Sequence, residues 1–387
     1  MSTVVVASVV ATKARNGGNA RAVLNWVQGF RKLGLQTYFV EQIPRQFCTA
    51  ADGTPVSFHD SVNAAYFEKV MSAAGLSSMS SLVCDGGTET CGMGFRELLD
   101  VAESADLLLN VTGHLTLEPL MRRLHRKVYL DLDPGYTQFW HEHSSASARL
   151  DGHDVFFTVG ENIGTPTCSI PTGGITWRHT RQPAVLGDHW HTPSRWSGRF
   201  TTVASWRGPY GPVQHGGMTF GLKAHEFRKF IDLPKRVSST FEVALDIHPA
   251  DALDRDALCT NGWRLVDPQQ VVPDPDSFDA YVSGSDAEWS VAQGVYVATG
   301  CGWFSDRTVR YLAAGKPAVV QDTGFSRSYP VGEGLVAFRT PAEAIDGVRR
   351  LERDPQAHAE AAHALAERFF DSDRILGQLL DQAGVAL

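Results

Sequence analysis

Cysteine is scarce and scattered: Cys48, Cys84, Cys91, Cys168, Cys259 and Cys301 are the only six in 387 residues, and none forms a CxxC pair. Neither a zinc ribbon nor a disulfide framework is expected, and reduced thiols are. Long apolar runs are missing too, with no stretch of eighteen, so no membrane-spanning helix is expected. The opening residues MSTVVVASVVATKARNGG have no basic lead before their apolar part and read as a strand, not a secretion signal. The expectation is a soluble, cytoplasmic protein. Positive charge is in short supply: 35 Lys and Arg against 43 Asp and Glu leave a net charge of −8. That balance predicts no nucleic-acid partner and no basic membrane-surface role, and favours small molecules. Short repeats, low-complexity segments and a GxGxxG fingerprint are also absent.

What is present is alternation. A β-branched run from Thr3 to Val10 is followed by a polar, glycine-bearing loop and an amphipathic stretch from Ala20 to Leu33, with Val23, Leu24, Val27 and Phe30 on one face. LQTYFVEQI, ADLLLNVTGH, KVYLDLD and HDVFFTVGEN read as further strands, with helical patterns such as FRELLDVAES between them. Such alternation predicts a parallel, doubly wound sheet. The pattern breaks near Thr192-Pro193-Ser194 and resumes with RFTTVAS, so the chain divides into residues 1–195 and a second unit from 196. The expected class is α/β: two doubly wound, Rossmann-like domains whose strand ends face a cleft.

The stretch CGWFSDRTVRYLAAGKPAVVQD, from Cys301 to Asp322, carries the densest signal. Ser305 is a good helix cap, Val309, Leu312 and Ala313 share a face, and Gly315 sits where a left-handed cap belongs. Ala318-Val319-Val320 then reads as a short buried strand that ends on Gln321, Asp322, Thr323 and Gly324. Helix starts and strand ends are where open α/β sheets bind anions and other ligands.

SDRTVRYLAAGKPAVVQDTGF, followed by GEGLVAFRTPAEAIDGVRRLERDPQAHAEAAHALAERFFDS, resembles the nucleotide-sugar-binding domain of GT-B glycosyltransferases, in particular bacterial family 1 or 4-like members of natural-product pathways. The resemblance covers roughly Thr201 to Asp373 and is architectural in the first half. It implies transfer of a hexosyl group from a nucleotide-diphosphate sugar to a small-molecule acceptor, a secondary metabolite, with neither metal nor cofactor. Same-fold alternatives are a sugar-nucleotide epimerase or hydrolase, or a silent nucleotide-sugar-binding partner. It also implies a donor domain over 196–368 and a last helix, within 369–387, that crosses back onto the first domain. The helix start Ser305, Asp306, Arg307 and Thr308, together with Asp322, Thr323 and Gly324, would then face the donor. Arg207, the loop glycines Gly216 and Gly217, and Lys223 match the cations and glycines that hold a diphosphate. Val266-Asp267-Pro268 would border the base.

One departure matters. Many retaining members carry a glutamate pair at the positions of Gly302 and Arg310, so its absence favours an inverting enzyme with a base on the acceptor side. Asp133, at the end of VYLDLDPGY, ranks first for that base, then His114, while Glu161 is a further strand-end carboxylate. Gly17 and Gly18 resemble glycines that admit donor or acceptor. His141-Glu142-His143 and His189-Trp190-His191 have spacings poor for metal ligation, so no metal is expected. Trp140, Trp177, Trp190, Trp196 and Trp206 are candidates for the acceptor cleft or for core packing.

Overall fold

The computed structural model describes residues 2–144, 148–187 and 196–385. The break in pattern at 192–194 and the His189-Trp190-His191 group lie outside them.

The β-branched and aliphatic runs form two sheets. The first takes β1 (Thr3–Ala7), β2 (Gln36–Ile43), β3 (Ser80–Cys84), β4 (Glu89–Gly92), β5 (Leu107–Val111), β6 (Lys127–Asp131), β7 (Val155–Thr158) and β8 (Trp177–His179), in the order β4-β3-β2-β1-β5-β6-β7-β8. Every pairing is parallel except the β3–β4 hairpin. The second takes β9 (Arg199–Ser205), β12 (Thr240–Asp246), β13 (Trp263–Val266), β14 (Ala287–Ser290), β15 (Ala318–Gln321) and β16 (Leu335–Phe338), in the order β13-β12-β9-β14-β15-β16, all parallel. β10 (Val213–His215) and β11 (Met218–Phe220) make a separate hairpin.

Both sheets are buried on two faces, which is why β1, β3 and β5 read as continuous apolar or small-residue runs with no alternation. Strand order reverses between β1 and β5 in the first sheet and between β9 and β14 in the second. At such points the loops leave to opposite faces and open a crevice at the strands' C-terminal ends. The final helix, Ser372–Ala383, turns the stripe Ile375, Leu376, Leu379 and Leu380 inward. It packs against the Gly17–Lys32 helix, where a Cβ at Gly29 would collide with Leu376. Arg126 and Arg178 cap its last carbonyls, at Ala383 and Gln382. Among the described residues no helix is long and apolar enough to cross a membrane.

Candidate active site

The loop after β1 is fixed from below. Glu41, on β2, is fully buried, and its carboxylate accepts from the amides of Val10, Ala11 and Thr12 and from the Thr12 hydroxyl, each at 2.7 Å. Burial pushes its pKa up, against these hydrogen bonds. The clamped backbone makes a 3-10 turn, Ala11–Lys13, and delivers Lys13 to the rim. Asp131 does the same for the loop after β6. It is fully buried and accepts from the Asp133 amide (3.0 Å), the hydroxyls of Thr137 and Thr158 (2.7 Å each) and the Gln138 amide group (2.8 Å). Burial, opposed by these bonds, lifts its pKa to about 6.

Asp133 therefore stands at the rim on a backbone held by Asp131. Tyr296 donates to it at 3.1 Å and Tyr210 at 3.4 Å, both from the second half of the chain. Burial raises its pKa, while Lys13 and the two tyrosines pull it down. His114 follows β5 after Thr112, whose φ of 49° is unusual for a β-branched residue. Burial first, then the charges of Lys13 and Arg149, push its pKa down to about 4, so the ring is neutral at pH 7.

The second rim is built on an ion pair. Glu288, on β14, is fully buried and accepts from Arg307 at 2.6 Å, and Arg307 also donates to the Val203 carbonyl at 2.8 Å. Arg307 lies in the first turn of the Asp306–Ala313 helix beside Asp306, whose pKa burial raises. Lys223 begins the Lys223–Arg228 helix, and its backbone amide donates to the Gln293 side chain at 2.7 Å. Burial, with the neighbouring charge of Arg307, pushes Lys223 down to about 7 against the pull of Asp306 and Glu288.

Lys13, His114, Asp133, Tyr210, Lys223, Gln293, Asp306 and Arg307 line one cleft of about 1170 Å³ between the two sheets, with Glu41, Asp131, Glu288 and Tyr296 supporting them from behind. Of the sequence candidates, Gly18, His114, Asp133, Lys223, Asp306 and Arg307 line it, as do Val266, Asp267 and Pro268. The others serve elsewhere. Arg207 is exposed and bound by Asp251, at 2.9 Å through Nε, which occupies its guanidinium outside the cleft lining. Gly216 and Gly217, with φ of 56° and 75°, turn the β10–β11 hairpin, whose His215 and Phe220 stack on Phe139. That loop docks on the first half of the chain instead of wrapping an anion. Ser305 and Thr308 are buried in the helix's own packing. Asp322 accepts from the Gly324 amide (2.8 Å), the Ser326 hydroxyl (2.7 Å) and Arg339 (2.5 Å), and the Thr323 hydroxyl donates to the Trp303 carbonyl. Gly324, with φ of 93°, offers its carbonyl to Asn162 at 3.1 Å, so this strand end joins the two halves and fixes Trp303 at the cleft. Gly17 admits backbone, not ligand: its amide donates to the Val272 carbonyl at 3.0 Å, and a Cβ would collide with Asp274.

Of the tryptophans, Trp177 and Trp206 are core, Trp196 packs on Phe200 and Trp140 on Tyr136 and Tyr210, while Trp190 lies outside the described residues. The cleft's accessible aromatic walls are Tyr210 and Trp303, while Trp26 and Phe278 back the lining from the core. Glu161 is taken by Arg181 at 2.8 Å and by the Tyr329 hydroxyl. Of the 141–143 group, His143 bonds the Phe139 carbonyl and Glu142 lies 3.3 Å from His215, so the three side chains do not converge. Among the described residues one group, Cys84, Asp85 and Glu89, has metal-ligand spacing, and Arg45 binds both of its carboxylates. Sequence reading missed Lys13, Glu41, Tyr210, Gln293 and Tyr296. Only Tyr210, in the loop after β9, carried a local signal, as an aromatic in a Gly-Pro-Tyr-Gly turn sequence.

No protein-family model and no curated protein sequence matches the chain. Solved structures match along nearly all of it. The alpha-glucosyltransferase (AGT) in complex with UDP aligns with a TM-score of 0.59 at 12% identity, over 99% of this chain and 100% of that one. HepE of Anabaena in complex with UDP-glucose gives 0.60 at 10% identity, over 99% and 100%. Sucrose-phosphate synthase of Thermosynechococcus elongatus gives 0.53 at 10%, over 99% of each. The fold is GT-B. In this GT-B chain the cleft joins the switch points of both sheets.

One expectation is corrected by these likenesses. The acidic balance does not exclude nucleic acid, because the same GT-B fold carries an alpha-glucosyltransferase in complex with UDP and a 13-mer DNA, at a TM-score of 0.58. A net charge is a sum over the whole surface and does not fix the charge of one face.

Proposed function

We propose that the protein is a glycosyltransferase that moves a hexosyl group from a nucleotide-diphosphate sugar to an acceptor hydroxyl. The observation that carries the reading is the single cleft of about 1170 Å³ with Lys223 and Arg307 on one rim and Lys13, His114 and Asp133 on the other. Three matched structures are of proteins whose names or bound molecules are UDP, UDP-glucose or sugar-phosphate synthesis, which supports a UDP-sugar donor. On this reading the donor lies on the rim of the second sheet, its diphosphate beside Lys223 and its base near Val266-Asp267-Pro268. The acceptor enters along the first rim, between the aromatic faces of Tyr210 and Trp303. These faces suit a small hydroxylated natural product.

The chemistry is inversion. Asp133 takes the acceptor's hydroxyl proton as that oxygen bonds to the anomeric carbon, and the bond to the diphosphate breaks with its electron pair going to the leaving group. Lys223, protonated when the diphosphate binds, and Lys13 answer the charge that develops there. Neither metal nor cofactor takes part, and activity should survive chelation by EDTA.

A panel of nucleotide sugars, incubated with and without phenolic, sugar and short duplex-DNA acceptors, tests the reading. Acceptor-dependent release of nucleoside diphosphate with a product of inverted anomeric configuration is expected. Turnover without acceptor marks a hydrolase or epimerase instead, and a retained configuration removes Asp133 from the role of base.

A further inference from the structure

Away from the cleft, a second cavity of about 320 Å³ lies where the chain crosses between its two halves, and its lining shares no residue with the cleft. There the Pro355–Phe370 helix ends and the Ser372–Ala383 helix begins, while the segment after β8 runs alongside. The Ala184 amide donates to the Phe370 carbonyl at 2.7 Å and the Ser372 amide to the Ala184 carbonyl at 2.9 Å, so first-half and last-helix backbones are stitched at this point.

Three guanidinium groups converge on this cavity. Arg181 lies 5.4 Å from the centre of the Phe369 ring and 4.9 Å from that of Tyr329, and Arg368 lies 5.1 Å from the same Phe369 ring. Arg374 donates to the Arg368 carbonyl at 2.6 Å and lines the same cavity. One carboxylate faces them, Glu161, and it is already bound by Arg181 through two nitrogens and by the Tyr329 hydroxyl. Among the described residues Arg368 and Arg374 pair with no carboxylate. In a chain of net charge −8, Arg368 and Arg374 beside the Arg181–Glu161 pair leave a positive site with two uncompensated guanidinium groups. Thr180 and Gln378 add neutral polar groups to the lining.

We propose that this cavity binds a small phosphorylated molecule, of the size of a hexose phosphate, and that the bound phosphate ties the segment after β8 to the two crossing helices. Guanidinium forks match phosphate oxygens in pairs, and the stacking of Arg368 on Phe369 holds its fork in place before the anion arrives, beside the Arg181 held by Glu161. The volume is at the small end for ligand cavities, which suits a phosphate carrying one sugar and not a nucleotide sugar. This site does not depend on the sugar-transfer reading of the cleft.

Titration calorimetry on the full chain at about 0.15 M salt tests it, with inorganic phosphate and a hexose 6-phosphate as probes and the unphosphorylated hexose as control. Both phosphates should bind and raise the melting temperature, and the neutral hexose should not. The double variant R368Q/R374Q, changed at two exposed positions, should keep the ligand-free melting temperature and lose at least tenfold in hexose-phosphate affinity. The cleft variant K223A should bind the hexose phosphate as the parent does. R374Q alone carries the same test with a smaller loss. Equal affinity in parent and double variant overturns the proposal, as does loss confined to K223A, which would put the phosphate in the cleft, or binding of duplex DNA without either small phosphate. Uridine diphosphate is titrated in parallel, and its failure to bind would break the sugar-transfer reading while leaving this result standing.

Discussion

Glu41 and Asp131, beneath the rim of the first sheet, are held by N–H and O–H donors, whereas Glu288, beneath the rim of the second, is held by a guanidinium. All three carboxylates are fully buried, and each props up a loop or helix start at the cleft. Hydrogen-bond donors satisfy a carboxylate without spending a cation, so the first rim keeps Lys13 free of carboxylate partners among the described residues, facing Asp133. On the second rim the charge of Arg307 is largely used by Glu288, which leaves Lys223, with Arg255 further along the lining, available to an anion. The difference separates two tasks: positioning a proton acceptor on one side and receiving a diphosphate on the other.

The sharpest test of that division is Asp133→Asn, which keeps the shape but cannot take a proton. Turnover should fall roughly a hundredfold to ten-thousandfold, with uridine diphosphate affinity unchanged within about threefold. Near-normal turnover here, with collapse in His114→Ala, would move the base to His114.

Removing the props should then hurt unequally. Glu288→Ala strands a buried guanidinium and should cost about 3–5 kcal/mol in urea denaturation. Glu41→Gln, which leaves the loop amides with a poorer acceptor, should cost about 1–3 kcal/mol. If the first-rim variant proves the more damaging, the contrast between ion pair and hydrogen-bond clamp fails.

Lys223→Ala should weaken uridine diphosphate binding by roughly ten- to a hundredfold, through loss of one charge-assisted bond. Because burial holds the free ammonium down to about 7, the anion binds the protonated form and takes up a proton above that pH. Affinity should therefore fall from pH 7 to 9, by at most about tenfold per unit, and the variant should show a flat profile over the same range. A steep profile that survives in Lys223→Ala would assign the titration to another group.

The smallest effect is expected at Arg207. Its Asp251 partner and its exposure predict less than about a twofold change in donor affinity for Arg207→Ala, where the sequence pattern alone suggests a loss equal to that of Lys223. An equal loss would mean that Arg207 leaves Asp251 for the donor.

Much of the fold was legible because β1, β2, β5, β6, β7, β9 and β12 are apolar runs bounded by turn residues, and local letters decide such elements. β14 was not, since AEWS is short and contains the buried Glu288, whose partner lies nineteen residues on at Arg307. The site was half legible. Asp133, His114, Lys223, Asp306 and Arg307 follow from the rule that strand ends and helix starts face a cleft. Lys13 looked like any solvated charge in a polar loop, and what makes it part of the rim is Glu41, a residue of the next strand. Gly216-Gly217 has the letters of both a phosphate loop and a two-residue hairpin turn, and the choice is made by Phe139, far away in sequence.

The crossing helix sets an order of assembly. Leu376, Leu379, Leu380 and Ala383 belong to the same core as Val4, Val6 and Phe30 of the first sheet and its helix. A ribosome delivers the chain from its N-terminus, so the first sheet and its helices emerge while one side of their core still lacks its cover. The whole second sheet, from β9 to β16, must be synthesised before the covering turns arrive. The first half of this protein can begin to fold early, but its core closes only once the Ser372–Ala383 helix has been made.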